Sequence, residues 1–172
     1  MKTKILLMTL VMGLWMGLNQ VQATPITIQI KGNVTVVAGT GRESIPDTIH
    51  AGVGFKGIYT YDSDALDSDP SDQNGIYPLN SPYGISVELG GYEFETVLNH
   101  TNGFEIQILN DSLNDWPCDY YTVLSSEVIS SIPTDFEIRG IGWYLRDNTH
   151  TALSCDALLT TAPTLAEWDF NR

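Results

Sequence analysis

Cations are scarce in this chain: eight Lys and Arg stand against 21 Asp and Glu. So acidic a surface repels phosphate backbones and anionic lipid heads, which argues against nucleic-acid binding. Cysteine is scarcer still, with Cys118 and Cys155 alone. No G-x-S-x-G elbow occurs, which argues against an α/β-hydrolase. His50, His100 and His150 stand far apart, with no metal-ligand spacing. Outside the first 23 residues no window of a dozen carries a helical stripe, and neither an internal repeat nor an interdomain linker is visible.

The one long apolar run, Ile5 to Leu18, lies at the amino terminus. Lys2 and Lys4 precede it, and Val21-Gln22-Ala23 offers the small-residue pattern that signal peptidases cut after. A membrane anchor needs about 20 apolar residues, so residues 1–23 read as a cleaved export signal. No cysteine near the cut supports a lipid-modified terminus. Removing 23 of the 172 residues leaves 149, one ordinary domain, able to fold without staples. The leader takes two of the eight cations and none of the acids, so the mature part, 24–172, carries a net charge of −15.

What fills that domain is a period of two. Ile26, Ile28 and Ile30 alternate with polar residues before Gly32-Asn33, which can turn the chain into Val34 and Val36. Ala51, Val53, Phe55, Gly57, Tyr59 and Tyr61 line a second strand. Ile85, Val87 and Leu89 reach Gly90-Gly91 and return as Tyr92 and Phe94, a hairpin signal. Phe104, Ile106 and Ile108 continue the pattern, then Tyr120, Thr122 and Leu124, then Ile138 to Leu145. Short strands with turn-rich connections predict an all-β fold, an antiparallel β-sandwich or jelly roll.

Tyr61 to Gly75 is the compositional anomaly. Asp62, Asp64, Asp67, Asp69 and Asp72 fall within 11 residues with no cation among them. Crowded carboxylates are relieved by a hard cation, so this loop is a candidate calcium site. The EF-hand template fails, with Leu66 at a ligand position and Asp67 where glycine belongs. A solvated acidic turn is the other reading, since Asp, Ser, Pro and Asn favour turns for their own reasons.

A two-residue turn at Gly90-Gly91 would set Glu88 opposite Glu93 and Ser86 opposite Glu95. Paired carboxylates about 5 Å apart serve retaining glycosidases, but a solvated sheet face produces the same pattern. Gly52-Val53-Gly54-Phe55-Lys56-Gly57 matches a dinucleotide fingerprint only by letter, because it lies inside a strand with no helix after it. Its glycines fit a bend or close packing. Asn33, Asn99 and Asn110 open glycosylation sequons, relevant only in a eukaryotic host. Trp116, Tyr120 and Tyr121 cluster around Cys118 and are candidates for stacking on a sugar, or for packing as core. In an oxidising compartment Cys118 and Cys155 are expected to pair, closing a loop of about 38 residues worth roughly 4 kcal/mol on the chain-entropy model.

The stretch GIYTYDSDALDSDPSDQNGIYPLNSPYGISVELGGYEFET resembles the amino-terminal half of exported bacterial proteins of the PEP-CTERM group. The matching residues are Gly57, Tyr59 to Asp62, Asp67 to Pro70 and Ser81 to Gly84. TALSCDALLTTAPTLAEWDF, through Ala152 to Leu158, is similar to that group's closing region. The resemblance implies export by bacteria that make extracellular polysaccharide, a β-sandwich, and no established activity. The group's sorting tail does not follow Arg172, so anchoring is not carried over, and a shortened last strand would leave an edge open to a partner. The expectation is a secreted, non-enzymatic matrix or surface-associated structural or binding protein, with extracellular polysaccharide or matrix proteins as partners. A calcium-dependent carbohydrate-binding module is the alternative, and a glycosidase the third reading.

Overall fold

The structure, a computed structural model, describes residues 24–38, 44–69, 71, 73–98, 103–111, 118–133 and 138–171. The leader, Asp72 and Trp116 lie outside them. The strands are β1 Pro25–Asn33, β2 Gly54–Asp62, β3 Asn74–Leu79, β4 Gly84–Leu89, β5 Tyr92–Thr96, β6 Phe104–Leu109, β7 Asp119–Ser125, β8 Val128–Ser130, β9 Ile141–Asp147 and β10 Phe170–Asn171. One sheet runs β1-β2-β4-β5-β8 and the other β10-β9-β7-β6-β3, with every pairing antiparallel. The fold is the expected all-β sandwich. Among the described residues no helix is long and apolar enough to cross a membrane.

Alternation builds the core. Ile28, Tyr59, Tyr61 and Ile85 of the first sheet meet Tyr77, Leu79, Phe104, Ile106, Ile108, Tyr121, Val123 and Leu145 of the second. Leu153 and Trp168, from the segments after β9, close the cluster. Tyr59 stacks with Tyr61 at 6.0 Å between centroids, and Trp143 reaches both Tyr59 and Tyr121. Fully burying an apolar side chain is worth about 1.5–3 kcal/mol, so this interleaving supplies the main drive to stack the sheets.

The glycines of the first sheet behave in two ways. Gly90 and Gly91 have φ of 61° and 87°, the double positive φ of a type I′ turn. Glu88 accordingly faces Glu93, and Ser86 faces Glu95. Gly32-Asn33, by contrast, does not turn the chain: Gly32 pairs with Phe55 and Asn33 with Gly54. A Cβ on Gly32 would lie 2.8 Å from the Phe55 ring, so its glycine makes room for an aromatic neighbour.

Two other expectations are corrected. In β7 the inward side chains are Tyr121, Val123 and Ser125, whereas Tyr120, Thr122 and Leu124 face outward. Both alternations of that segment carry apolar residues, so periodicity alone does not choose a face. The last long strand begins at Ile141, not Ile138. β3, whose Pro78 masks a strand pattern, is tolerated because it forms the edge of its sheet.

Candidate functional site

The acidic loop uses its carboxylates on its own backbone. Asp62 Oδ1 accepts the Asp64 N–H, and Asp69 Oδ1 accepts that of Ser71, each at 2.9 Å. Asp67 Oδ1 accepts from both Asp69 and Ile76, which ties the loop to β3. These are Asx turns, the conformation for which Asp is favoured without any ion. Among the described residues the loop brings no three carboxylates together.

The expected disulfide is not made: Cys118 and Cys155 are not bonded to each other. Cys118 is buried just before β7, where its side chain hydrogen-bonds Tyr120 and so raises that phenol. Cys155 is exposed, next to Asp156, whose carbonyl accepts the Tyr77 hydroxyl of β3 at 2.9 Å.

Tyr120 and Tyr121 part company, because neighbours in a strand face opposite ways. Tyr121 is fully buried, its hydroxyl 3.2 Å from that of Tyr59. Burial pushes Tyr121 well above the usual phenol value and Tyr61 up to about 12. Tyr120 lies on the outer face of the second sheet. There the register sets it against Arg146, and Arg146 against Phe170. The Arg146 guanidinium carbon is 5.6 Å from the Tyr120 ring centroid, a cation–π distance. Tyr144 and Phe170 are 5.5 Å apart between centroids with planes 31° apart. Phe170 is 43% exposed, and the three rings with Arg146 form a platform across β7, β9 and β10. Tyr144, Arg146 and Phe170 were not singled out in the sequence. Their signal is a shared outward parity, visible only once the strands are paired.

The outer face of the first sheet is polar. Lys56 Nζ stands 2.9 Å from Glu88 Oε2 across β2 and β4, both side chains largely exposed. Glu88 therefore has a cation beside it as well as Glu93 opposite. A groove of about 530 Å³ over Gln29, Lys31, Ile58 and Ser86 follows this face. The fingerprint-like glycines lie in and before β2 with no helix after them.

At one end of the second sheet, three residues scattered in the sequence converge. Ligand atoms of Asp111, Asp119 and His150 lie within 4.8 Å of one another. His150 Nδ1 is 2.9 Å from Asp111 Oδ1. Asp119 is fully buried and opens β7, while Asp111 and His150 sit in the segments after β6 and β9 with φ of 53° and 61°. Left-handed backbone is uncommon outside glycine, though Asp and His adopt it more readily than most. Neither the lone histidine nor the spaced aspartates signalled this meeting. The inward parity of Asp119, on the same face as Tyr121 and Val123, was the one legible cue. Comparison with protein-family models, curated proteins and solved structures yields no match for the chain.

Proposed function

We propose that the chain is an exported, non-enzymatic β-sandwich that binds extracellular polysaccharide, as a matrix or surface-associated component. The observation that carries this reading is the platform of Tyr120, Tyr144 and Phe170 with Arg146 on the outer face of the second sheet. Aromatic side chains present an apolar face rigidly, at small entropic cost, with a polar handle at the tyrosine hydroxyl. A sugar ring offers the complement, a C–H face to stack and hydroxyls for hydrogen bonds from the guanidinium. The export-type amino terminus and the resemblance to exported proteins support the location.

The test is depletion of the purified protein by a panel of insoluble and extracellular polysaccharides, with calcium and then with chelator. Saturable retention on one polymer, lost in Tyr144→Ala and Phe170→Ala while the sheet's circular dichroism persists, is the expected outcome. Retention unchanged in both variants removes the platform, and no retention on any polymer turns attention to protein partners. Retention lost on chelation would favour the calcium-dependent module, with the Asp62–Asp69 loop as its centre.

A further inference from the structure

Asp119 and Asp147 are direct cross-strand partners in β7 and β9, and both are buried. Among the described residues neither forms an ion pair with a lysine or arginine. Buried carboxylates are ordinarily neutralised by a paired cation, a metal, or a full set of donors. Asp147 has the full set: the Thr149, Thr151 and Ala152 N–H groups and the Thr149 hydroxyl at 2.7–3.1 Å. Asp119 does not. Oδ1 accepts from the Asp111 N–H and Oδ2 from the Leu153 N–H, which leaves each oxygen with lone-pair capacity.

We propose that Asp119, Asp111 and His150 bind a first-row divalent transition-metal ion, with Zn²⁺ as the type case. The imidazole nitrogen and the only partly satisfied, buried carboxylate of Asp119 set this group apart from the described aspartates of the acidic loop, which accept from their own backbone. An imidazole ligand also selects the class, because calcium and magnesium take oxygen donors whereas zinc takes His and Asp together. Tetrahedral ligands about 2.1 Å from an ion are about 3.4 Å from each other. His150 Nδ1 and Asp111 Oδ1, now a hydrogen-bonded pair at 2.9 Å, need part only slightly and give up the shared proton to take an ion between them. The Asp119 ligand atom, within 4.8 Å of both, closes on the same centre with a small movement of Asp111 and His150. Water completes the coordination on the open side, where the side chains of Asp111 and His150 are 58% and 30% exposed. The ion would clasp the turn after β6 to the segment after β9 and neutralise the buried carboxylate.

Titration of the metal-free purified protein with Zn²⁺ by calorimetry, and with Co²⁺ by visible absorption, tests the assignment. Asp119→Asn risks the fold, so the variants are at the exposed Asp111 and the half-buried His150, Asp111→Asn and His150→Ala, with His50→Ala as control. The expected result is one ion per chain, bound at least about tenfold more weakly in Asp111→Asn and His150→Ala and unchanged in His50→Ala. A Zn²⁺-induced rise in melting temperature should vanish in His150→Ala. Absence of Zn²⁺ and Co²⁺ binding in the parent protein, or equal affinity in the two ligand variants, overturns the site.

Discussion

The hydroxyls of Tyr59 and Tyr121 meet 3.2 Å apart in the middle of the sandwich, one from each sheet. Both phenols are buried, so the contact helps each satisfy its polar group, and Tyr121 also interacts with the Tyr61 hydroxyl. Tyr61 adds a third hydroxyl, which donates to the Leu159 carbonyl and anchors the segment after β9 to the core. Tyr121→Phe should therefore cost about 1–3 kcal/mol, because it strands the Tyr59 hydroxyl rather than merely removing a bond. The double replacement Tyr59→Phe/Tyr121→Phe should cost less than the sum of the singles. Urea unfolding of the four proteins checks this; strictly additive losses would show that the two hydroxyls are not coupled.

Alkaline pH should strain the same core. The Tyr59 and Tyr121 phenols lie above their ordinary value because burial disfavours the anion, and burial likewise pushes Tyr61 up to about 12. A raised folded pKa means stability fully present below the unfolded value of about 10 and lost as pH rises through the folded one. Ultraviolet titration should show exposed tyrosines ionising first and the buried group only together with loss of sheet structure. Ionisation of all tyrosines in one step near the ordinary value, with the fold intact, would contradict the buried placement.

Asp147 governs the acid side. Burial alone would raise its carboxyl, but the Thr151, Thr149 and Ala152 N–H groups with the Thr149 hydroxyl outweigh that and hold it well below the carboxylate range. A depressed folded pKa gives stability that is present above the unfolded value of about 3.9 and lost as pH falls below it. Asp147→Asn should melt lower at neutral pH and show a flatter decline between about pH 5 and 2. An unchanged slope in thermal melts across that range would place the acid sensitivity elsewhere.

Gly57 is a packing glycine. Its Cβ would stand 2.5 Å from the Ser86 carbonyl oxygen and 3.0 Å from a Val87 methyl. Gly57→Ala should cost about 1–3 kcal/mol through overpacking between β2 and β4. A stability equal to the parent would mean that the strands spread freely there.

The cysteines make a simple mass prediction. Alkylation without reductant should add one group to the native protein, at exposed Cys155, and two after denaturation, when buried Cys118 opens. No uptake in denaturant would restore the bridge.

The strand register around Gly90-Gly91 was legible because it is local: two residues that accept positive φ between alternating segments define which side chains face each other. The all-β class was legible for the same reason, since period-two patterning reports burial of one face wherever it occurs. What remained hidden depends on partners distant in sequence. Gly32-Asn33 carries turn chemistry, yet it stays in the ladder because Phe55 lies opposite and fills the space. Tyr120 and Tyr121 were indistinguishable as a pair, and the sheet-to-sheet packing of Tyr121 on Tyr59 chose which one is core. Arg146, Phe170 and Tyr120 share a platform because three strands align them, while Asp111, Asp119 and His150 meet because two segments leave the sheet at the same end. Composition and periodicity thus determined the acidic, all-β character of this protein, as properties of short stretches of chain. Only tertiary structure decided which side chains converge, because convergence is set by strand pairing and sheet stacking between residues tens of positions apart.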